Sequence, residues 1–316
     1  MPDTATAEHP VSEQRRTWVI SAGSGLGRRH GSNSEQLIRK FFPADQVIRT
    51  RDRRHLTGWS PGLPDHGVVI VAGGDGAWRE ALQGAPEQVI PGLLPVGTVS
   101  QAAIELNTAA SPQAWRQWRC EQVQLGQIRS CLHASGERTK KRDAAAHADH
   151  SRSAFFLMAG IGVESDAVQI VRPGLKRWIG KWAYVWALLE RLMRPVRRSL
   201  VVDLDGRRFR TSQVLIQNGA HYGGRYRVAD TDIRQPNYRI LIWKYPGRFM
   251  WCLTMMCLMF RLPSGWLAHK LPGVEAHIRS SRKQQCQIDG DIGPALPLYV
   301  MPTTSRKVAI ADTAQR

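Results

Sequence analysis

The chain is short of acidic residues, of cysteine and of any long apolar run, and each shortage removes a class of protein. Its 26 Asp and Glu stand against 44 Lys and Arg in 316 residues, a formal net charge of +18. That surplus predicts attraction to polyanions, either nucleic acid or an anionic membrane. Helix-turn-helix, zinc-finger and RNA-binding aromatic signatures are missing, so charge alone does not make the chain a nucleic-acid binder, and no nucleic-acid partner is expected. Only five cysteines occur, at positions 120, 131, 252, 257 and 286. Their odd number and spacing fit neither a disulfide framework nor a zinc module; Cys252 and Cys257, inside the apolar run, read as buried thiols in a reducing compartment. No stretch reaches the roughly 18 to 20 apolar residues of a spanning helix. The longest, Phe249 to Phe260, is flanked by Arg248 and Arg261. Residues 1–16 are polar and lack an apolar signal core, so secretion is not expected and a cytoplasmic location is.

What is present supports two domains, since 42% of the residues are hydrophobic and the length suffices. Residues 1–15 read as a polar tail. Residues 16–120 then alternate short apolar runs with glycine turns. Thr17-Trp18-Val19-Ile20 runs into Ser21-Ala22-Gly23-Ser24-Gly25-Leu26-Gly27, and a helix is expected near Ser34 to Phe42. Val47 to Thr50 fits another short strand. Val68-Val69-Ile70-Val71-Ala72 ends in Gly73-Gly74-Asp75-Gly76 and opens a helical pattern from Ala77 to Leu82. Gly92 to Thr98 ends in a third glycine turn before a helix from about Val99 to Leu106. Strands discharging into glycine turns predict a parallel, doubly wound α/β domain with its ligand at the strand C-terminal ends. A buried strand, a glycine turn and a helix N-terminus together make a phosphate site. Glycine permits close approach, and the helix end offers free N–H groups.

From about residue 121 to 310 the pattern changes to alternating strands: Glu121 to Ile128, Ser153 to Ala159, Leu200 to Leu204, Gln213 to Gln217 and Arg239 to Ile242. This predicts a mainly antiparallel β domain, followed by a tail at 311–316. The polar stretch 133–152 reads as a flexible insertion whose His133, His147 and His150 have no ligand spacing. Residues 175–194 carry Leu175, Trp178, Ile179, Trp182, Val185, Trp186, Leu189 and Leu192 at helical spacing among basic residues. That stripe is either core or a helix lying on anionic lipid.

The order of these segments resembles the diacylglycerol kinase catalytic superfamily, which includes bacterial soluble lipid kinases and sphingosine kinases. The family's Gly-Gly-Asp-Gly-Thr-x-x-Glu appears as Gly73-Gly74-Asp75-Gly76-Ala77-Trp78-Arg79-Glu80. Its Pro-x-Gly-Thr-x-Asn-Asp appears as Pro95-Val96-Gly97-Thr98-Val99-Ser100-Gln101. The first turn matches only in Ser24 and Gly25. Ala159 to Glu164, Gly180 to Tyr184, Gln217 to Gly224 and Gln287-Ile288-Asp289-Gly290-Asp291 resemble later family segments in order.

The resemblance implies an α/β nucleotide-binding domain and a C-terminal β-sandwich, with the active site in the cleft between them. It implies transfer of a phosphoryl group from ATP to a lipid hydroxyl at the inner membrane surface. Gly73, Gly74, Asp75 and Gly76 would cradle the phosphates, with Glu80 in the same motif. Ser24, Gly25, Gly97 and Thr98 would line the nucleotide, joined by Thr50. Asp75 would help hold Mg2+. Asp289 would be the general base, with Asp291 in place of the motif's Glu. The departures weaken the metal network: Ser100-Gln101 replace Asn-Asp, Gln124 stands for an Asp, Gln235-Pro236-Asn237 replace Asp-Asp-Gly, and Ala77 replaces Thr. Gln is a neutral ligand and does not offset a dication. The alternative expectation is therefore a catalytically impaired homologue that binds lipid or membrane.

Overall fold

A computed structural model describes residues 16–21, 27–50, 54–96, 100–130, 152–170, 190, 199–224, 226–273 and 275–313. The chain forms two compact units: Met1–Gln122 with Lys307–Arg316, and Val123–Arg306.

The first unit is a parallel sheet of β1 (Arg16–Ile20), β2 (Gln46–Arg49), β3 (Gly67–Gly73) and β4 (Val89–Pro95), completed by the end of β18 (Leu298–Ala311). Its order is β2-β1-β3-β4-β18, and every pairing is parallel. Helices α1 (Gly27–Phe41), α2 (Arg54–Thr57) and α3 (Asp75–Gly84) lie between successive strands; α4 (Gln101–Leu106) follows β4. The unbroken run in β3 is what a parallel strand covered on both faces requires. Val68, Ile70 and Ala72 join Trp18, Ile38, Leu94 and Trp115 on one face. Val69 and Val71 join Val19, Leu56, Ala81 and Val89 on the other. Each such fully buried aliphatic side chain contributes about 1.5–3 kcal/mol.

The chain passes into the second unit within β5 (Trp118–Ser130). There β7 (Met158–Ile161), β10 (Val214–Gln217), β13 (Tyr238–Trp243), β14 (Ala268–Gly273), β16 (Gln285–Ile288) and β17 (Asp291–Ala295) form an antiparallel sheet ordered β14-β13-β10-β7-β16-β17. A second antiparallel layer contains β8 (Leu200–Leu204), β9 (Arg207–Thr211), β15 (Ala276–Ser280) and the start of β18, together with the pair β5 and β6 (Arg152–Phe155). Alternate residues of both layers meet in one core, with Ile161, Ile216, Ile240 and Ile288 from the first and Val202, Ile278, Leu298 and Val300 from the second. This is the expected β-sandwich. The first sheet's outer face is covered by α5 (Val163–Ile170) and α6 (Arg248–Met259), and a short hairpin pairs β11 (His221–Tyr222) with β12 (Tyr226–Arg227).

Two expectations change. The run Ser153 to Ala159 is not one strand: it breaks at Phe156-Leu157 into β6 and β7, because that turn supplies amides to a carboxylate described below. The C-terminal stretch after Arg306 is not part of the sandwich. Val308, Ala309, Ile310 and Ala311 are fully buried, and Ala309 pairs with Gly92 of β4. The insertion at 133–152 falls almost wholly outside the described residues, and so does the tryptophan-rich stretch 175–194 apart from Glu190.

Candidate active site

In the first unit the strand ends form one edge. Past the last paired residue of each strand, the backbone keeps bonding to its neighbour: Thr50 N–H donates to the Ile20 carbonyl, Ser21 N–H to Ala72, and Val96 N–H to Gly73, each at 3.0 Å. Thr50, Ser21, Gly73 and Val96 therefore share the C-terminal edge of a parallel sheet, where such folds bind ligands. Of the predicted nucleotide residues, Ser24, Gly25, Gly97 and Thr98 lie outside the described residues. Thr50 and Glu80 are buried, and Asp75 and Gly76 are half-buried in the first turn of α3.

The glycines of the tetrad differ in what requires them. A Cβ at Gly73 would stand 2.8 Å from the Ala77 Cβ, so packing of β3 against α3 demands glycine there. At Gly74 nothing lies within 4 Å of that position, and its backbone (φ −100°, ψ −173°) suits any residue. Gly74 also caps α3, and as a glycine it gives the first-turn amides no side-chain cap. Open space beside uncapped helix amides is the shape of an anion cradle.

Asp75 ties this turn to the next one. Its Oδ1 accepts from the Ser100 hydroxyl and the Ala102 N–H, both at 2.9 Å; its Oδ2 accepts from Gln101 N–H at 3.1 Å. Ser100 in turn caps α4 by accepting from Ala103 N–H at 3.3 Å. The carboxylate thus sits on the N-terminus of α4, where backbone donors favour negative charge. Asp75 already accepts from three donors, which leaves about one of its roughly four acceptor sites for a cation. The sequence reading treated Ser100 as a mere departure. Its capping role was legible, because a Ser directly before a helical run is a strong N-cap signal.

In the second unit two motif residues converge on one turn. Asp289, at φ 47° beside Gly290, accepts from the backbone N–H of Phe156 at 2.8 Å and from those of Leu157 and Met158 at 2.9 Å. Asn218 holds the other side: its side-chain amide donates to the Phe156 carbonyl at 2.7 Å and to the Gln124 carbonyl at 2.9 Å. Three backbone donors on its two oxygens hold the Asp289 carboxylate in a fixed direction. Asp291 is the first residue of β17 and pairs with Ile288.

Gln124 stands where the resemblance expects Asp. Its Nε2 donates to Ser305 Oγ at 3.0 Å and its Oε1 accepts from Thr303 Oγ1 at 2.9 Å. A neutral amide satisfied at both ends replaces a carboxylate there. Thr303 and Ser305 carry no sequence signal, since hydroxyls on a strand are ordinary. Nearby chemistry includes Glu164, on α5 and deeply buried. Burial pushes its carboxyl up to about 7 although Tyr222 donates to Oε1 at 3.0 Å. Its Oε2 and the Asn218 Oδ1 are buried oxygens without a hydrogen-bond partner among the described residues.

Residues 20–134 match the family model of the diacylglycerol kinase catalytic domain. That segment is thus similar to the family's catalytic domain, in line with the resemblance drawn from its motifs. The fold recurs in crystal structures from Bacillus anthracis str. Sterne. One, provisionally assigned as a diacylglycerol kinase, is 14% identical with a TM-score of 0.68, covering 99% of each chain. Another, a diacylglycerol kinase, is 13% identical with a TM-score of 0.62, covering 96% of this chain and 98% of its own. At that identity they establish a shared two-domain fold. No curated protein sequence matches the chain. The domain match supports a kinase-type phosphotransferase.

Proposed function

We propose that the protein transfers the γ-phosphoryl group of ATP to a lipid hydroxyl. The observation that carries this is the Gly74 cradle at the end of β3, braced by Asp75 against the N-terminus of α4. It supplies backbone donors for the nucleotide phosphates, with Thr50, Gly73, Gly76 and Glu80 around it. Ser24, Gly25, Gly97 and Thr98 belong to the same proposed set by motif.

On the second unit, Asp289 is the proposed partner of the acceptor hydroxyl. Phosphoryl transfer depends on positioning and charge, with little demand for early proton removal. A carboxylate aimed by three amides receives the hydroxyl hydrogen in a fixed direction. Asp291 adds negative charge on the same turn. Diacylglycerol, monoacylglycerol and sphingoid bases all offer a hydroxyl, and the +18 charge favours meeting them at an anionic membrane surface.

A second reading, a homologue that binds lipid without catalysis, is favoured by Gln124. Its amide is closed off by Thr303 and Ser305 where a carboxylate is expected. The test is transfer from labelled ATP to a panel of lipids in anionic mixed micelles, with Asp289→Asn measured in parallel for both activity and melting temperature. Lipid-dependent transfer that is lost in the variant while it remains folded supports the kinase. Nucleotide binding without transfer to any lipid supports the second reading.

A further inference from the structure

The second unit has a surface that none of the residues proposed for phosphoryl transfer line. After Arg248, α6 runs Phe-Met-Trp-Cys-Leu-Thr-Met-Met-Cys-Leu-Met. A helix apolar all round is ordinarily covered on every side. Here Trp251, Met255 and Leu258 pack with Leu215, Leu241 and Trp243 of the sheet. The opposite side carries Phe249, Met256 and the following Phe260, spaced i, i+7 and i+11, at 73%, 45% and 63% exposure. Leu262 and Trp266, in the segment that follows, are exposed as well.

Beside it opens a cavity of about 650 Å3, floored by Val228, Leu241 and Leu258. Its walls carry Arg227, Arg239, Arg261 and Lys270 against one carboxylate, Asp230. Arg227 approaches Asp230 at 3.8 Å, whereas Arg239, Arg261 and Lys270 form no ion pair among the described residues. The cavity and the patch are continuous, because Tyr226 meets Phe260 edge-on with ring centroids 6.3 Å apart, one residue from Arg227 and Arg261. An excess of cations over an apolar floor selects an anion that is also amphiphilic. Exposed aromatics and methionines next to it match the boundary between headgroups and acyl chains.

We propose that this surface docks on anionic phospholipid, the headgroup phosphate entering the cavity and the outer side of α6 resting against the acyl region. The inference deepens the membrane part of the proposed function by naming the surface. It is measured without nucleotide, so its failure and the failure of the kinase reading are separate outcomes.

The experiment is sedimentation of the full chain with phosphatidylcholine vesicles, with and without phosphatidylglycerol. Binding is expected only to the anionic vesicles. Arg261→Ala with Lys270→Ala should weaken it about twenty-fivefold, since each basic group near such a surface accounts for about fivefold. Arg207→Ala with Arg210→Ala, which removes the same charge from β9, should weaken it less than about threefold. Phe249→Ser with Phe260→Ser should lower binding while leaving its salt dependence unchanged; both side chains are exposed, and melting curves verify folding. Equal losses in the two charge variants would show general attraction and overturn the proposal. So would binding indifferent to phosphatidylglycerol, or a self-association, abolished by Phe249→Ser, in a chain that ignores vesicles.

Discussion

Glu164 and Gly74 show how single positions separate structural from functional demand. The Glu164 carboxyl has its proton affinity raised by burial to about 7 from an ordinary 4.5. Between those pH values the folded chain keeps a proton that the unfolded chain releases. Stability therefore falls as pH rises through that window, by about 3 kcal/mol in total for a shift of this size. Glu164→Gln removes the titration and keeps an acceptor for Tyr222. Urea unfolding at about pH 5 and about pH 8 should show the variant level with the wild type at the lower pH and more stable at the higher one. A difference independent of pH would contradict the assignment. At Gly74, neither backbone nor packing requires glycine. Gly74→Ala should change stability by less than about 1 kcal/mol. It should weaken ATP binding about tenfold in calorimetric titration, the equivalent of one charge-assisted hydrogen bond. Unchanged affinity would remove the phosphate from this turn.

At the scale of elements, two carboxylates act as clamps between segments distant in sequence. Asp75 joins α3 to the start of α4, and Asp289 joins the β16–β17 turn to the β6–β7 turn. Asp75→Ala leaves three donors without their acceptor and should cost about 2 kcal/mol. Hydrogen exchange should quicken at residues 100–103 more than elsewhere in the first unit. Uniform change across that unit would mean that α4 does not depend on the clamp. These roles were only half legible. The motif resemblance singled out Asp75 and Asp289. Which atoms their oxygens meet depends on turns 25 and more than 130 residues away, and no local pattern encodes that.

At the scale of the molecule, the first unit takes its fifth strand from the end of the chain. Deleting residues after Arg306 strips Val308, Ala309, Ile310 and Ala311 from the edge of β4. Calorimetry of the truncated chain should show a transition displaced to lower temperature, with exchange protection lost first in β4 and kept in β10 and β13. A single displaced transition with uniform loss of protection would show that the two units unfold only together.

By itself the sequence determined the two kinds of unit, the strands of the parallel sheet and the order of the family motifs. Period-2 alternation, unbroken apolar runs and glycine turns are local consequences of backbone geometry and burial, and they are written in neighbouring residues. Tertiary structure alone decided that Val308 to Ala311 close the first sheet instead of continuing the sandwich, since an apolar strand fits either edge. It alone showed that Gln124 is satisfied by Thr303 and Ser305 and that α6 covers the sheet with only one of its apolar sides. Partner choice among distant strands and helices is set by packing of the whole chain, because strand pairing and burial free energies depend on which surfaces meet.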